Sequence, residues 1–172
     1  MGRALLLVDV QRNMLEGANP VPNADRMREV LHFLLTAART AGAAVVHVQN
    51  NGGSDDPDAP GTPGWELMFP PQGSELVVEK TQGDAFHETE LAMRLEARGI
   101  DDVVIAGMQS EFCIRDTARG ALAEGFGVTL VGNGHATYGD SLESAWQIAR
   151  DVERELAREG VKIATADGIR FG

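Results

Sequence analysis

The chain has 172 residues, of which 43% are apolar and 24% are charged, and its formal net charge is −11 at pH 7. This length fits one domain with a sizeable core, so we expect a single domain over residues 1–172. The acidic balance argues against a nucleic-acid partner, because contacts to phosphates need Lys or Arg and no basic run is present. The sequence also has no apolar run of transmembrane length, so we expect no membrane partner. A small neutral or cationic substrate is compatible with the charge.

Cysteine usage and the first residues favour a cytoplasmic protein. The start, MGRALLLVDVQ, has an apolar stretch that Asp9 interrupts, unlike the core of a signal peptide. Cys113 is the one cysteine, so no internal disulfide can form. A thiol without a partner in the chain is also a candidate nucleophile.

Apolar runs typical of strands alternate with helical patterns from the first residues onward. Residues 4–10, ALLLVDV, predict a buried parallel strand that ends in a carboxylate. The next pattern predicts a helix with Asn23 as its N-cap and Gly42 after its end, and residues 43–49 predict a second strand. The Gly-, Pro- and Asp-rich stretch 50–73 has no period, and its aromatic residues favour an ordered functional loop.

The second half of the chain continues the alternation. Further strands are predicted at 75–80, 101–107, 127–133 and within VKIATADG, separated by a short helix, a helix near Cys113 and a last long helix. Asp140 and Glu143 have the spacing of a capping box for that last helix. The sequence therefore predicts an α/β fold, a three-layer sandwich whose six-stranded, mainly parallel sheet carries helices on both faces.

Three polar residues lie at or just beyond the carboxyl ends of predicted strands, where ligands bind in such sheets. Asp9 follows the first strand, Lys80 the third, and Cys113 comes shortly after the fourth. A helix N-terminus and a nearby ammonium are expected to lower the thiol pKa, Asp9 to accept the thiol proton, and Lys80 to hold Asp9. A nucleophile, a base and an orienting group together suit covalent acyl transfer.

Each of these residues also has a structural interpretation. A lone cysteine in a helix is more often part of the core than catalytic. An acid at a strand end can simply stabilise a turn, and a lysine there can simply be solvated. The spacing alone therefore leaves catalysis and structure open.

Three segments contain these residues: LLLVDVQRNM, VVEKTQGDAFHETEL and VVIAGMQSEFCIRDTARGALAEGFGVTLVGNGHAT. Together they resemble the motifs of the isochorismatase-like cysteine hydrolases, the superfamily that includes nicotinamidases and N-carbamoylsarcosine amidohydrolase. The third segment is the specific one. The likeness runs from about residue 3 to residue 138, which is most of the chain.

The resemblance implies roles for individual residues. Cys113 would attack a carbonyl carbon and form a thioester, Asp9 would be the general base and then the acid, and Lys80 would complete the triad. The family has a non-proline cis peptide that falls here at Met108–Gln109, and the N–H groups of Gln109 and Cys113 would form the oxyanion hole. Family members also form oligomers, so we expect a homodimer or homotetramer whose subunits complete one another's pockets.

Departures from the family narrow the expected chemistry. Metal-binding nicotinamidases have a D-x-H segment after the second strand, whereas this chain reads HVQNNGGSDDPDAP. We therefore expect no metal and no cofactor, and nicotinamide loses support as a substrate. The presence of Cys113 favours a small amide, ureide or related C–N bond.

Five further residues are candidates for the substrate pocket, each with a structural alternative. Trp65 and Phe69 could wall the site or anchor the loop, and Gln11 could contact substrate or stabilise a turn. His135 and Tyr138 follow the fifth strand at the same sheet edge. The hypothesis is a metal-independent cysteine hydrolase with a small-molecule substrate; the alternatives are a peroxide-reactive thiol protein and a non-catalytic binding protein with the same fold.

Overall fold

One parallel sheet organises the chain in the computed structural model, which describes residues 2–172. Its six strands lie in the order β3-β2-β1-β4-β5-β6, and every neighbouring pair is parallel. Their bounds are β1 Gly2–Val8, β2 Ala44–Asn50, β3 Leu76–Lys80, β4 Ile100–Met108, β5 Gly127–Ala136 and β6 Lys162–Ala164. The predicted α/β fold class is confirmed.

Helices cover both faces of the sheet, and each face has its own core. The helices are α1 Arg12–Leu15, α2 Ala24–Thr40, α3 Leu91–Glu96, α4 Arg115–Ala123 and α5 Leu142–Arg158. Buried residues of α1 and α2 share one apolar cluster, and those of α3, α4 and α5 share the other. Within residues 2–172, no helix combines the length and apolar character needed to cross a membrane.

The central strand β1 contributes to both cores, because its successive side chains point to opposite faces of the sheet. Leu5 and Leu7 belong to the cluster under α2, whereas Leu6 and Val8 belong to the opposite one. All four side chains are almost completely buried. Burial of each contributes roughly 1.5–3 kcal/mol, which is why this apolar run forms the middle of the sheet. The strand ends at Val8, and Asp9 is the next residue.

A glycine allows β4 to approach β1 at the functional edge. Gly107 pairs with Val8 and has φ +131°, a conformation that disfavours any residue with a side chain. A Cβ at this position would collide with the Val8 carbonyl oxygen. The glycine therefore brings the segment that leads to Cys113 next to the end of β1.

The predicted N-caps of both long helices are wrong. Asn23 adopts a left-handed conformation, with φ +62°, and its side chain makes no capping hydrogen bond. The last helix is capped by Ser141, whose side chain accepts a hydrogen bond from the Ser144 N–H. The Ser144 side chain in turn accepts one from the Ser141 N–H. Asp140 lies outside the helix, so its spacing to Glu143 has no capping function.

The helix near Cys113 also differs from the prediction. A single π-helical turn, Ser110–Ile114, contains the cysteine, and the regular helix α4 begins only at Arg115. Within the turn, Phe112 has φ −118° and ψ −106°, which is not helical. The cysteine is therefore presented by an irregular turn rather than by a regular helix start.

Candidate active site

The parallel sheet brings Asp9, Lys80 and Cys113 together at one edge. Asp9 directly follows β1, Lys80 is the last residue of β3, and Cys113 lies in the turn after β4. Asp9 has φ +52°, in the left-handed region that Asp tolerates better than most residues.

The Lys80 ammonium is the centre of this cluster. Its Nζ lies 3.1 Å from Cys113 Sγ and 3.4 Å from Asp9 Oδ1. It also donates to the Gln82 carbonyl oxygen at 2.9 Å. The Lys80 and Asp9 side chains are only 0% and 3% exposed, so this ion pair is shielded from solvent. Lys80 is thus held in place and cannot be a solvated surface lysine.

The protonation states follow from burial and from the neighbouring charges. Burial raises the pKa of Asp9 to about 6, although the Lys80 ammonium opposes this rise. Burial, and next the Asp9 carboxylate, raise the pKa of Cys113 to about 12. The expectation of a lowered thiol pKa is wrong, because the Lys80 ammonium is outweighed. At neutral pH the thiol is protonated and the neighbouring carboxylate is mostly ionised.

Asn50 and Asp58 extend the cluster beyond the residues predicted from sequence. Asn50 Oδ1 accepts from Lys80 Nζ at 2.9 Å, and Asn50 Nδ2 donates to Asp58 Oδ2 at 2.7 Å. The amide of Asn50 therefore orients the ammonium, and Asp58 fixes which way the amide points. The one sequence signal for Asn50 was its place at the end of the second strand.

A cavity of about 330 Å³ opens onto this cluster. Its lining comes from α1 and from segments at the carboxyl ends of β1, β2, β4 and β5: Asp9, Asn13, Met14, Asn19, Asn50, Asp56, Pro57, Asp58, Gln109, Phe112, Cys113 and Tyr138. A larger surface cavity of about 530 Å³ beside α2 has no Cys, Ser or Lys in its lining. The smaller cavity is therefore the candidate active site.

Tyr138 lines this cavity, as the pocket hypothesis expects, and its hydroxyl donates to the Asn19 carbonyl oxygen at 2.7 Å. Gln11 is not among the lining residues. Its side-chain oxygen accepts from the Asn50 N–H at 2.8 Å, and its amide nitrogen donates to the carbonyl oxygens of Asn50 and Trp65. Gln11 therefore stabilises the backbone at the strand ends.

Trp65 and Phe69 are also absent from the cavity lining, because both anchor the long loop. The Trp65 indole N–H donates to Asn51 Oδ1 at 2.8 Å. Phe69 packs against the core under α2 and lies near the His32 ring, with centroids 5.8 Å apart. The loop is ordered by these contacts, which leaves its 56–58 segment facing the cavity.

His135 lies behind the site and does not line the cavity. Its Nδ1 is 2.8 Å from Ser110 Oγ, and its Nε2 is 3.2 Å from Glu153 Oε1. Ser110 is fully buried, three residues before Cys113. This hydrogen-bonded chain connects the cysteine turn to β5 and α5, so its role is to position the turn.

The backbone before the cysteine has an unusual geometry. The Met108–Gln109 peptide bond is cis. The Gln109 carbonyl oxygen accepts from the N–H groups of both Phe112 and Ile114, at 3.1 and 3.2 Å. Gln109 and Cys113 both line the cavity.

The cavity lining has no imidazole for a zinc ion, which proteins usually hold with His or Cys and with carboxylates as further ligands. Asn50, Asp56 and Asp58 offer only amide and carboxylate groups, and His47 is paired with Glu75 at 2.8 Å. Among residues 2–172, no group of three or more His, Cys, Asp or Glu side chains is arranged to hold a metal.

Comparison with known proteins identifies the class. A family model described as the Isochorismatase domain matches residues 3–156, and the chain belongs to the isochorismatase family. Two proteins of Streptomyces noursei, both named streptothricin hydrolase, are 42% and 46% identical to it over 171 residues, or 98% of the chain. The chain spans 61% and 67% of the lengths of these two relatives. The superfamily predicted from the sequence motifs is confirmed.

Solved structures agree with this assignment. The crystal structure of N-carbamoylsarcosine amidase from Thermoplasma acidophilum superposes with a TM-score of 0.85 at 27% identity, covering 98% of this chain and 99% of that one.

Proposed function

We propose that this chain is a hydrolase that cleaves an amide C–N bond through a thioester on Cys113. The observation that carries the proposal is the contact of one buried ammonium with both a thiol and a carboxylate, on a cavity large enough for a small molecule. A purely structural cysteine would need neither partner.

The first step joins attack to proton transfer. Cys113 Sγ attacks the carbonyl carbon while its proton moves to Asp9, and the Lys80 ammonium stabilises the charge on sulfur. The Asp9 carboxylate is one cause of the raised pKa of Cys113, and proton transfer neutralises that carboxylate. The cost of removing the thiol proton therefore falls as the proton moves, so no preformed thiolate is needed.

The second step releases the amine. Backbone N–H groups of Gln109 and Cys113 would stabilise the oxyanion, a contribution that is typically worth about 10²–10³ in rate per donor. The tetrahedral adduct collapses, the C–N bond breaks, and Asp9 gives its proton to the leaving nitrogen. Water then attacks the thioester, its proton passes through Asp9 to Sγ, and the acid leaves.

The names of the relatives suggest where to look for the substrate. Streptothricin is the first candidate, because two relatives that carry its name match almost the whole chain. A maleamate amidohydrolase of Pseudomonas putida KT2440 and a nicotinamidase of Arabidopsis thaliana are also similar, at 32% and 28% identity. All of these names describe hydrolases, and the name of the amidohydrolase specifies cleavage of an amide.

The test is a screen of small amides, ureides, carbamoyl compounds and streptothricin. Ammonia or amine release is measured for the small compounds, and the addition of one water is measured by mass spectrometry for streptothricin. Wild type should act on at least one compound, and Cys113→Ala should lose at least about 10³ of that rate while keeping its circular dichroism spectrum. Equal activity of the folded variant would refute the mechanism.

The peroxide-reactive alternative fits the site less well. Oxidation by peroxide requires thiolate, and a pKa of about 12 leaves almost none at neutral pH. Consumption of peroxide by the purified protein at rates above those of a small thiol would favour this alternative.

A further inference from the structure

The wall of the candidate cavity that faces a substrate is acidic. Asp56 and Asp58 line it together with Asp9, and no Lys, Arg or His is among its lining residues. The Lys80 ammonium pairs with Asp9 at 3.4 Å, so the unpaired acidic charge of the lining comes from Asp56 and Asp58. An occupant therefore meets two loop carboxylates that have no cationic partner in the part of the chain that the structure describes.

Both loop carboxylates are held in position. Asp58 is 9% exposed, and its Oδ2 accepts from Asn50 Nδ2 at 2.7 Å. Asp56 Oδ2 accepts from the Gly53 N–H at 2.7 Å. Each carboxylate thus has one oxygen fixed by the protein, which orients the other for a further donor. Ordered charges of this kind bind a ligand with less loss of conformational entropy than mobile surface acids.

The same cavity holds a buried acceptor atom that has no donor within residues 2–172. Asn13 Oδ1 is shielded from solvent and forms no hydrogen bond there, whereas Asp9 Oδ1 is already paired with the Lys80 ammonium, 3.4 Å away. Leaving such an acceptor unpaired is unfavourable, and an occupant that donates a hydrogen bond would remove that cost. A cationic nitrogen is a strong donor of this kind.

Aromatic rings complete a lining that suits a cation. Phe112 lines the cavity and is 57% exposed although it is a large apolar side chain. Tyr138 also lines the cavity, and its hydroxyl is engaged with the Asn19 carbonyl. The ring faces of Phe and Tyr attract ammonium and guanidinium groups.

We propose that Asp56 and Asp58 are specificity-determining residues that select amides carrying an ammonium or guanidinium group close to the scissile carbonyl. The inference rests on the proposed function, because it places that carbonyl at Cys113. It goes further by naming the charge of the substrate and the loop residues that recognise it.

A test independent of turnover uses Cys113 as the only thiol in the chain. Three methanethiosulfonates differ in charge: the cationic 2-aminoethyl, the neutral methyl and the anionic 2-sulfonatoethyl reagent. In each reaction, the Cys113 thiol loses its proton, its sulfur forms a mixed disulfide, and methanesulfinate leaves. Intact-mass spectrometry gives the three rates at low ionic strength, and 2-mercaptoethanol serves as the reference thiol.

The ratio of the cationic to the anionic rate should exceed that of the reference thiol by about tenfold or more, and salt should reduce it. Asp56→Asn and Asp58→Asn should each lower the ratio about threefold or more. Asp55→Asn is the matched control, because it removes the same charge from an exposed neighbour outside the cavity lining. A ratio equal to that of the reference thiol, or equal losses in Asp55→Asn and the two variants, would overturn the proposal.

A substrate series separates this inference from the proposed function. β-Alaninamide, butanamide and succinamate present the same amide with a cationic, neutral or anionic end. Preference for β-alaninamide by about tenfold, lost in Asp56→Asn, supports the inference. Equal hydrolysis of butanamide overturns it and leaves the proposed function intact. If no amide in this series or in the wider screen is cleaved, the proposed function fails, and the reagent rates still decide the charge preference of the cavity.

Discussion

Replacement of Lys80 with Met tests the electrostatics of the site, because it removes the ammonium and keeps most of the apolar stem. The variant leaves the Asn50 Oδ1 and Gln82 carbonyl acceptors without their donor. At about 1 kcal/mol each, these lost bonds lower the free energy of unfolding by about 2 kcal/mol at any pH.

The remaining effect depends on pH through Asp9. A buried acid with a raised pKa destabilises the fold by about 1.4 kcal/mol per pH unit, from its unfolded pKa up to its folded pKa. In the wild type this loss stops at about pH 6. Without the ammonium the pKa of Asp9 rises further, so the loss continues above pH 6. At pH 8 this continued loss makes the variant less stable by up to about 3 kcal/mol, and at pH 5 the pH-dependent loss is close to zero.

Urea unfolding at pH 5 and pH 8 measures both parts. The deficit of Lys80→Met should be about 2 kcal/mol at pH 5 and should grow to between about 3 and 5 kcal/mol at pH 8. Lys162→Met is the matched control, since Lys162 is the other lysine of the chain and is exposed; it should change stability by less than about 0.5 kcal/mol. An equal deficit of Lys80→Met at the two pH values would refute the reasoning about the buried pair.

Three other changes test separate parts of the account. Gly107→Ala should lower the free energy of unfolding by more than about 3 kcal/mol in urea titrations, because its Cβ would collide with the Val8 carbonyl oxygen at a positive φ; near-normal stability would contradict this. Asn50→Ala should lower kcat by about tenfold or more with little change in KM, because it releases the ammonium, and an unchanged kcat would exclude that positioning role. The kcat/KM of the wild type should fall below about pH 6, where Asp9 becomes protonated, and a rate that stays constant down to pH 4 would exclude Asp9 as the base.

The fold and the three reacting side chains could be predicted because both depend on local patterns. Apolar runs alternating with helical periods define a parallel sheet, and the carboxyl ends of its strands meet at one edge. Asp9 directly follows such a strand, Lys80 ends one, and Cys113 comes shortly after one, so their proximity did not require knowledge of the loops.

The rest of the site depends on contacts between distant segments. The loop carboxylates Asp56 and Asp58 reach the cavity because Trp65 and Gln11 anchor the loop elsewhere, which no spacing in the sequence reveals. The thiol pKa of Cys113 follows from a balance between burial and two opposite charges, and burial can only be measured in the folded protein.

The Cys113 thioester is the central claim, and intact-mass spectrometry after acid quenching during turnover tests it most directly. A fraction of the wild-type protein should carry the mass of the substrate's acyl group, and digestion should locate that group on the peptide with Cys113. The folded Cys113→Ala variant should show neither the adduct nor turnover. Hydrolysis of the same substrate by that variant at more than about a hundredth of the wild-type rate, or an acyl group on another residue, would contradict the account.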